Sequence, residues 1–159
     1  MNLKTLARIY KLNISIILFV VLFSLIHFLQ PSLVYNKDRA HLSMKSGYYT
    51  IYRQIGKRME CLYVGKSDHS IHQRVNRWAK GVAGRLRPDE NHSAATRARL
   101  DGVRLTDQLY IKYVDQDAVN RIIDDASIRC EPLDEWIAPL LKSKYNRRTF
   151  NVGLEPFFK

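Results

Sequence analysis

The sequence predicts an α+β domain, a small three-stranded mixed sheet flanked by helices, placed behind an N-terminal transmembrane segment. Three observations predict it. Residues 14–29 are almost wholly apolar and follow Lys4, Arg8 and Lys11. Residues 48–52 (TyrTyrThrIleTyr) and 61–64 (CysLeuTyrVal) are dense in the aromatic and β-branched types that fit a pleated sheet. Residues 70–78 then switch to helical spacing, with Ile71, Val75 and Trp78 on one stripe.

Taken in order, the apolar run ends at Gln30, Pro31 and Ser32. A bilayer core takes about 20 apolar residues, with a lower limit near 17, so Leu12 and Leu33–Val34 at the flanks complete a short span. A signal anchor, a cleaved signal peptide and a translation start at Met44 are all open readings, although no small-x-small cleavage site follows the run. The anchor reading gives a single-pass membrane protein. The cations ahead of the run favour a cytoplasmic N-terminus, and Lys37, Arg39 and Lys45 behind it weaken that bias. Residues 1–34 thus form the membrane segment, the polar stretch 35–45 a linker, and 46–159 the folded domain.

Within that domain, Gly56 in residues 54–58 supplies the backbone freedom of a hairpin turn. Residues 80–88 form a basic, glycine-punctuated loop. A helix over 93–100 takes Ser93 as its cap. LeuTyrIleLysTyrVal (109–114) alternates as a third strand, and 117–123 begin a further helix. The last helix runs over 132–145, with Pro132 in its first turn and Pro139 predicting a kink or a break.

The 159 residues suffice for one compact domain. Of the net charge of +11, Lys4, Arg8, Lys11, Lys37 and Arg39 against Asp38 account for four, leaving +7 on residues 44–159. Such a balance favours polyanions, of which nucleic acid is the commonest. Cys61 and Cys130 lack Cys-x-x-Cys partners and zinc-ligand histidine spacing, which argues against a zinc site. They read as small core hydrophobes. His69, His72 and His92 lie in basic, polar segments and read as surface residues, with His72 best placed to touch DNA.

Gly47, Tyr48 and Tyr49, then Tyr63, Val64 and Gly65, then Arg74, make a sparse pattern of two strand tyrosines, two glycines and a following arginine. This pattern resembles the signature of the GIY-YIG nuclease family. The spacing from Tyr63 to Arg74 is eleven residues, one more than is common there, which places an insertion in residues 68–70. ValGlyLysSer and GlnArgVal also look like the N-terminal domain of the bacterial excinuclease C subunit. MetLysSerGly (44–47) resembles the start of some phage homing endonucleases. The resemblance covers 46–78 best.

What the resemblance implies is a metal-dependent endonuclease acting on DNA. Tyr49 would deprotonate water, Tyr63 would hydrogen-bond into the same network, and Arg74 would clamp the scissile phosphate. Gly65, Lys66, Arg77 and Asn146 would bind substrate. Mg²⁺ (or Mn²⁺) would sit on a late carboxylate. Glu131 is favoured by its spacing to Asn146, with Asp134 and Glu135 as competitors on the same helix and Asn151 competing with Asn146. The chemistry is consistent with these residue types. A guanidinium binds phosphate through two donors, and one carboxylate plus waters suits magnesium. A tyrosine, with an ordinary pKa near 10, acts as a base at neutral pH only where cations favour its phenolate; Lys66 and Arg74 are placed for that.

No helix-turn-helix or zinc module is present for sequence readout, so specificity is low or borrowed from a protein partner. Two other classes stay open: a nucleic-acid-binding or interaction module that has lost cleavage, and a membrane-anchored structural protein without a nucleic-acid role.

Overall fold

A long β-hairpin organises the molecule. The computed structural model describes residues 5, 10, 14, 17, 21, 24, 32–122, 137–138 and 141–146. In chain order the elements are β1 (Leu33–Val34), α1 (Tyr35–Asp38), a 3-10 turn (Arg39–His41), β2 (Gly47–Ile55), β3 (Arg58–Ser67), α2 (Ile71–Val82), α3 (Ser93–Leu100), β4 (Leu109–Asp115) and α4 (Gln116–Ile122).

The fold is α+β, and its sheet corrects the expected three-stranded mixed one. It has four strands in the order β1-β4-β2-β3, antiparallel at every pairing. Helices α2 and α3 carry the chain from β3 back past the hairpin. β4 therefore enters on the free side of β2, with Gly47 opposite Asp115 and Arg53 opposite Leu109. β1 is two residues long, too short to leave an alternating pattern in the sequence.

The hairpin closes through Gly56 and Lys57 between the paired Ile55 and Arg58. Gly56 takes φ +58°, the conformation that a two-residue turn demands of its first residue. The register slips once between Ile51 and Tyr52, leaving Leu62 as the extra residue of a bulge. The bulge breaks strict alternation, so adjacent Leu62 and Tyr63 both join the larger core cluster.

That cluster lies under α2 and α3. Ile71, Val75 and Trp78 are buried as their spacing predicts, and Ala79 and Val82 extend the stripe. α2 thus runs beyond the expected 70–78 into the glycine-containing stretch. Gly81 is not a loop residue: a Cβ there would lie 2.6 Å from the Ala95 Cβ, so it allows α2 and α3 to cross closely. The turn falls at Gly84 instead, with φ +70°. The Gly84 N–H bonds the Gly81 carbonyl and the Arg85 N–H bonds the Lys80 carbonyl, a Schellman ending.

The smaller cluster covers the other face, where Tyr48, Cys61, Val64 and Val114 meet Val119, Ile137 and Ala138. Cys61 is a free, buried thiol, as expected of a small core hydrophobe, and burial pushes its pKa up to about 12. Cys130 lies outside the described residues.

The stretch 35–45, expected as a linker, belongs to the folded unit. Tyr35 and Leu42 are buried in the larger cluster. The carbonyls of Ser43 and Lys45 accept from His72 and Ile71 at 2.9 Å, so this segment also closes the start of α2. The last helix also ends earlier than the expected residue 145. Lys142 takes φ +50° and the Ser143 N–H bonds back to the Ala138 carbonyl. The chain then runs along the outer edge of β3, with Lys144 and Tyr145 donating to the carbonyls of Cys61 and Leu62. This protects an edge strand that would otherwise expose unpaired backbone groups. Pro132 and Pro139 lie outside the described residues.

Most of the apolar run 14–29 also lies outside them. No helix among the described residues is long and apolar enough to cross a membrane. Ile14, Ile17 and Val21 are helical and more than two-fifths exposed, at 43%, 61% and 57%.

Candidate active site

Tyr49 and Tyr63 meet because the hairpin register brings them onto one face. Tyr49 stands opposite Gly65, and Ile51 stands opposite Tyr63. The tyrosine rings are tilted at 56° with centroids 6.1 Å apart. The space above Gly65 is taken by these rings. A Cβ there would lie 2.6 Å from both the Cζ and the hydroxyl of Tyr49, and 2.7 Å from Cε1 of Tyr63. The glycine therefore serves the two phenols, rather than only the approach of a substrate. Tyr49 is wholly buried and Tyr63 partly exposed, so Tyr63 is the phenol that a ligand from solvent meets first.

Arg74 and Arg77 reach the same region from α2. With Lys66, Ser67, Asp68 and Ser70 they line a cavity of about 280 Å³ at the junction of β3 and α2. Lys66 is paired with Asp68 at 3.3 Å. The Nε atoms of Arg74 and Arg77 are buried and have no hydrogen-bond partner among the described residues.

The N-terminus of α2 itself offers no free donors to an anion. Ile71 and His72 donate to the carbonyls of Lys45 and Ser43, and Gln73 donates to Oγ of the cap Ser70 at 3.2 Å. An anion entering this cavity would meet side-chain donors rather than those of the helix N-terminus.

His92 joins the two halves and is the residue that sequence reasoning missed. It is 6% exposed, not a surface residue. It replaces Ser93 as the cap of α3, its Nδ1 accepting from the Ala95 N–H at 3.4 Å. Its ring meets Tyr63 edge-on, with centroids 5.3 Å apart. Burial, then the positive fields of Arg74 and Arg77, pull its pKa down to about 4. The ring is therefore neutral at pH 7. Because Nδ1 accepts, the proton sits on Nε2, which is buried without a partner among the described residues. The available signal was its place one residue ahead of a helix, where a side chain that accepts from the first turn is expected.

No family model, curated protein or solved structure matches this chain. Any functional reading therefore stands on the residues and their geometry.

Asn146, expected at the substrate, is committed to the backbone of β3. Its Nδ2 donates to the Val64 carbonyl at 2.7 Å, and its Oδ1 accepts from the Val64 N–H at 2.9 Å and from the Ser143 hydroxyl. The amide acts as a short strand mimic that fastens residues 143–146 beside the tyrosine hairpin. Glu131, Asp134, Glu135 and Asn151 lie outside the described residues. Among the described residues no three of His, Cys, Asp and Glu gather as a metal-holding group. His69 is exposed at the cavity rim, and His72 is partly buried beside Asn76, its Nε2 3.1 Å from the Asn76 amide nitrogen.

Proposed function

We propose that this chain is a metal-dependent endonuclease of the GIY-YIG type that hydrolyses DNA phosphodiester bonds. The observation that carries the reading is the packing of Tyr49, Tyr63 and His92 beside a cavity lined by Arg74 and Arg77. In and beside that cavity, the buried side-chain atoms of Arg74, Arg77 and His92 that have no partner among the described residues are all donors. A group of buried donors without acceptors suits an acceptor-rich ligand, and a phosphodiester is one.

In this reading Arg74 binds the scissile phosphate and stabilises charge as it builds on the equatorial oxygens. His92, neutral with its proton on Nε2, adds a hydrogen bond without adding a charge. Tyr63 orients the attacking water from the partly exposed side. Tyr49, expected as the base, is wholly buried and is assigned here to packing against the Tyr63 ring, so the proton of the water passes to Tyr63, the more accessible phenol. Arg77 and Lys66 hold the neighbouring backbone. A divalent Mg²⁺ or Mn²⁺ ion supplies, when bound, charge neutralisation and a more acidic water; Glu131, with Asp134 and Glu135 as alternatives, is the proposed ligand. The exposed Ile14, Ile17 and Val21 support a membrane anchor ahead of the domain.

A second reading, a binding module that keeps the fold without cleavage, is favoured by the complete burial of Tyr49. One experiment separates the two. The full chain in detergent is incubated with supercoiled plasmid and Mg²⁺ or Mn²⁺, with EDTA as control, beside the single variants Glu131→Gln, Asp134→Asn and Glu135→Gln. Metal-dependent nicking that Glu131→Gln abolishes, with DNA binding intact, supports the nuclease. Full activity in all three variants removes these acids from the mechanism. Binding without nicking by the unaltered chain establishes the binding module.

A further inference from the structure

The cavity under Arg74 opens beside a second, larger groove of about 760 Å³ on the outer side of α2, and the two share Gln73 and Arg77. Arg39 flanks this groove from the 3-10 turn after α1, Arg77 and Lys80 from α2, and Arg85 from the loop that follows, against Glu90. The Schellman ending of α2 is what places Arg85. Its N–H is bound to the Lys80 carbonyl at 2.8 Å, so the chain cannot carry the guanidinium away from the last turn.

Among the described residues, the cations of the groove lack the acidic partners that several others have. Lys45 is paired with Asp117, Arg53 with Glu60 and Asp107, and Lys144 with Glu60 and Asp101. Arg39, Arg77, Lys80 and Arg85 have no carboxylate within 4.0 Å among the described residues. The single acid, Glu90, is engaged locally, accepting from the Arg87 N–H at 3.2 Å. Unpaired cations lining a concave surface focus positive potential there.

We propose that this groove is a backbone-binding track that holds the nucleic-acid strand flanking the phosphate at Arg74. From Arg74 to Lys80 the helix advances six residues, about 9 Å, over which one strand of B-form DNA carries about two to three phosphates. The lining therefore matches the phosphates adjoining a site at Arg74. The concavity, and its continuity with that cavity, favour a strand over a flat lipid surface as the occupant. The four cations suit phosphates rather than base edges, so what they contribute is affinity without sequence preference. The proposal rests on the reading of Arg74 as a phosphate site, but not on cleavage.

The test is equilibrium binding of a fluorescein-labelled duplex of about 20 base pairs to the full chain in detergent, in EDTA, across a salt series. The comparison is between the unaltered chain, the triple variant Arg39→Gln/Lys80→Gln/Arg85→Gln, and Glu90→Gln. Arg39, Lys80 and Arg85 are exposed, and thermal unfolding of the triple variant checks that the loss of the Arg39 contact to Tyr35 leaves the fold intact. Each lost phosphate contact lowers the salt slope by about 0.9. The triple variant is expected to lose roughly 2 to 3 units of slope and to bind at least about tenfold more weakly near physiological salt. Glu90→Gln, in which the amide oxygen still accepts from Arg87, is expected to bind more tightly. Unchanged slope and affinity in the triple variant overturn the track. So does an effect confined to vesicles containing phosphatidylserine, which assigns these cations to a membrane. Plasmid nicking with Mg²⁺ is read separately: its absence with the salt effect intact removes the nuclease and leaves the track.

Discussion

Replacing Gly65 by alanine tests whether the two tyrosines are a constructed pair or incidental neighbours. The added methyl lies 2.6 Å from Cζ and the hydroxyl of Tyr49 and 2.7 Å from Cε1 of Tyr63. These atoms belong to stiff rings on β2 and β3, and Tyr49 is wholly buried, so neither ring swings aside without displacing core. Overpacking of this kind costs about 1–3 kcal/mol, which in a domain of this size lowers a thermal midpoint by roughly 5–10 °C. The control is Gly56→Ala. There a methyl meets nothing within 4 Å but must take φ +58°, a penalty of about 1 kcal/mol without any clash. Tyr49→Phe is not expected to rescue Gly65→Ala, because the ring carbon is as close as the hydroxyl. Thermal unfolding followed by near-ultraviolet circular dichroism gives the stabilities, and plasmid nicking gives the activity. Gly65→Ala should lose stability and nearly all activity, whereas Gly56→Ala should lose stability alone. A Gly65→Ala chain within about 0.5 kcal/mol of the parent, a surface-like effect, with nicking intact would refute the close tyrosine packing and the site built on it.

Arg74→Ala should lower nicking about 10²-fold or more, the size of one lost transition-state donor, whereas Arg77→Ala should mainly weaken binding and lower its salt slope by about 1; equal small losses would make Arg74 an ordinary member of a basic face. Because the folded pKa of His92 is depressed to about 4, its contribution to stability is complete above the unfolded value near 6.5 and is lost as pH falls towards 4. Urea unfolding across that window should show a loss on the order of 2 kcal/mol after allowance for partial solvent access, largely absent in His92→Gln. Asn146→Ala breaks both hydrogen bonds to Val64 and should cost about 2 kcal/mol of stability; a weakened KM at unchanged stability would instead return Asn146 to the substrate. A fragment 44–159 lacks β1 and the buried Tyr35 and Leu42, so it should be about 3–5 kcal/mol less stable than a fragment 32–159; equal unfolding midpoints would restore a boundary at Met44.

Features set by neighbouring residues were legible in the sequence. The hairpin with its turn at Gly56, the stripe of Ile71, Val75 and Trp78, and the strand over 109–114 follow from period and turn chemistry alone. Features set by distant contacts were not. Tyr35 and Leu42 are two apolar residues in a polar stretch, and only the core beneath α2 shows that they are buried. The ending at Lys142 depends on pairing with the β3 edge some 80 residues earlier in the chain. Gly81 and Gly84 look alike in sequence, yet one admits a neighbouring helix and the other turns the chain. At the candidate site, Tyr49, Tyr63, Gly65 and Arg74 were singled out by spacing, and the structure packs the two rings over Gly65 and puts Arg74 in the neighbouring cavity. His92 was not, because its partners lie on β3 and α2, and a histidine among polar residues gives no sign of burial.

The way α2 is fastened bears on how much any single side chain matters. A helix N-terminus commonly supplies free N–H groups to a phosphate. Here the first three are consumed by the carbonyls of Lys45 and Ser43 and by the Ser70 hydroxyl. The Ser70 N–H is taken as well, by Ser67 Oγ at 3.1 Å. The backbone thus invests its donors in holding the start of α2 against the segment ahead of β2, which fixes the direction in which Arg74 and Arg77 project. The site gains a rigid platform and gives up its backbone anion hole. In the proposed mechanism, charge that develops on a bound phosphate is then met, besides the metal ion, by guanidinium, ammonium and imidazole donors and not by the backbone. Loss of Arg74 has no backbone group behind it to take over, so its removal should be felt as the whole of one donor.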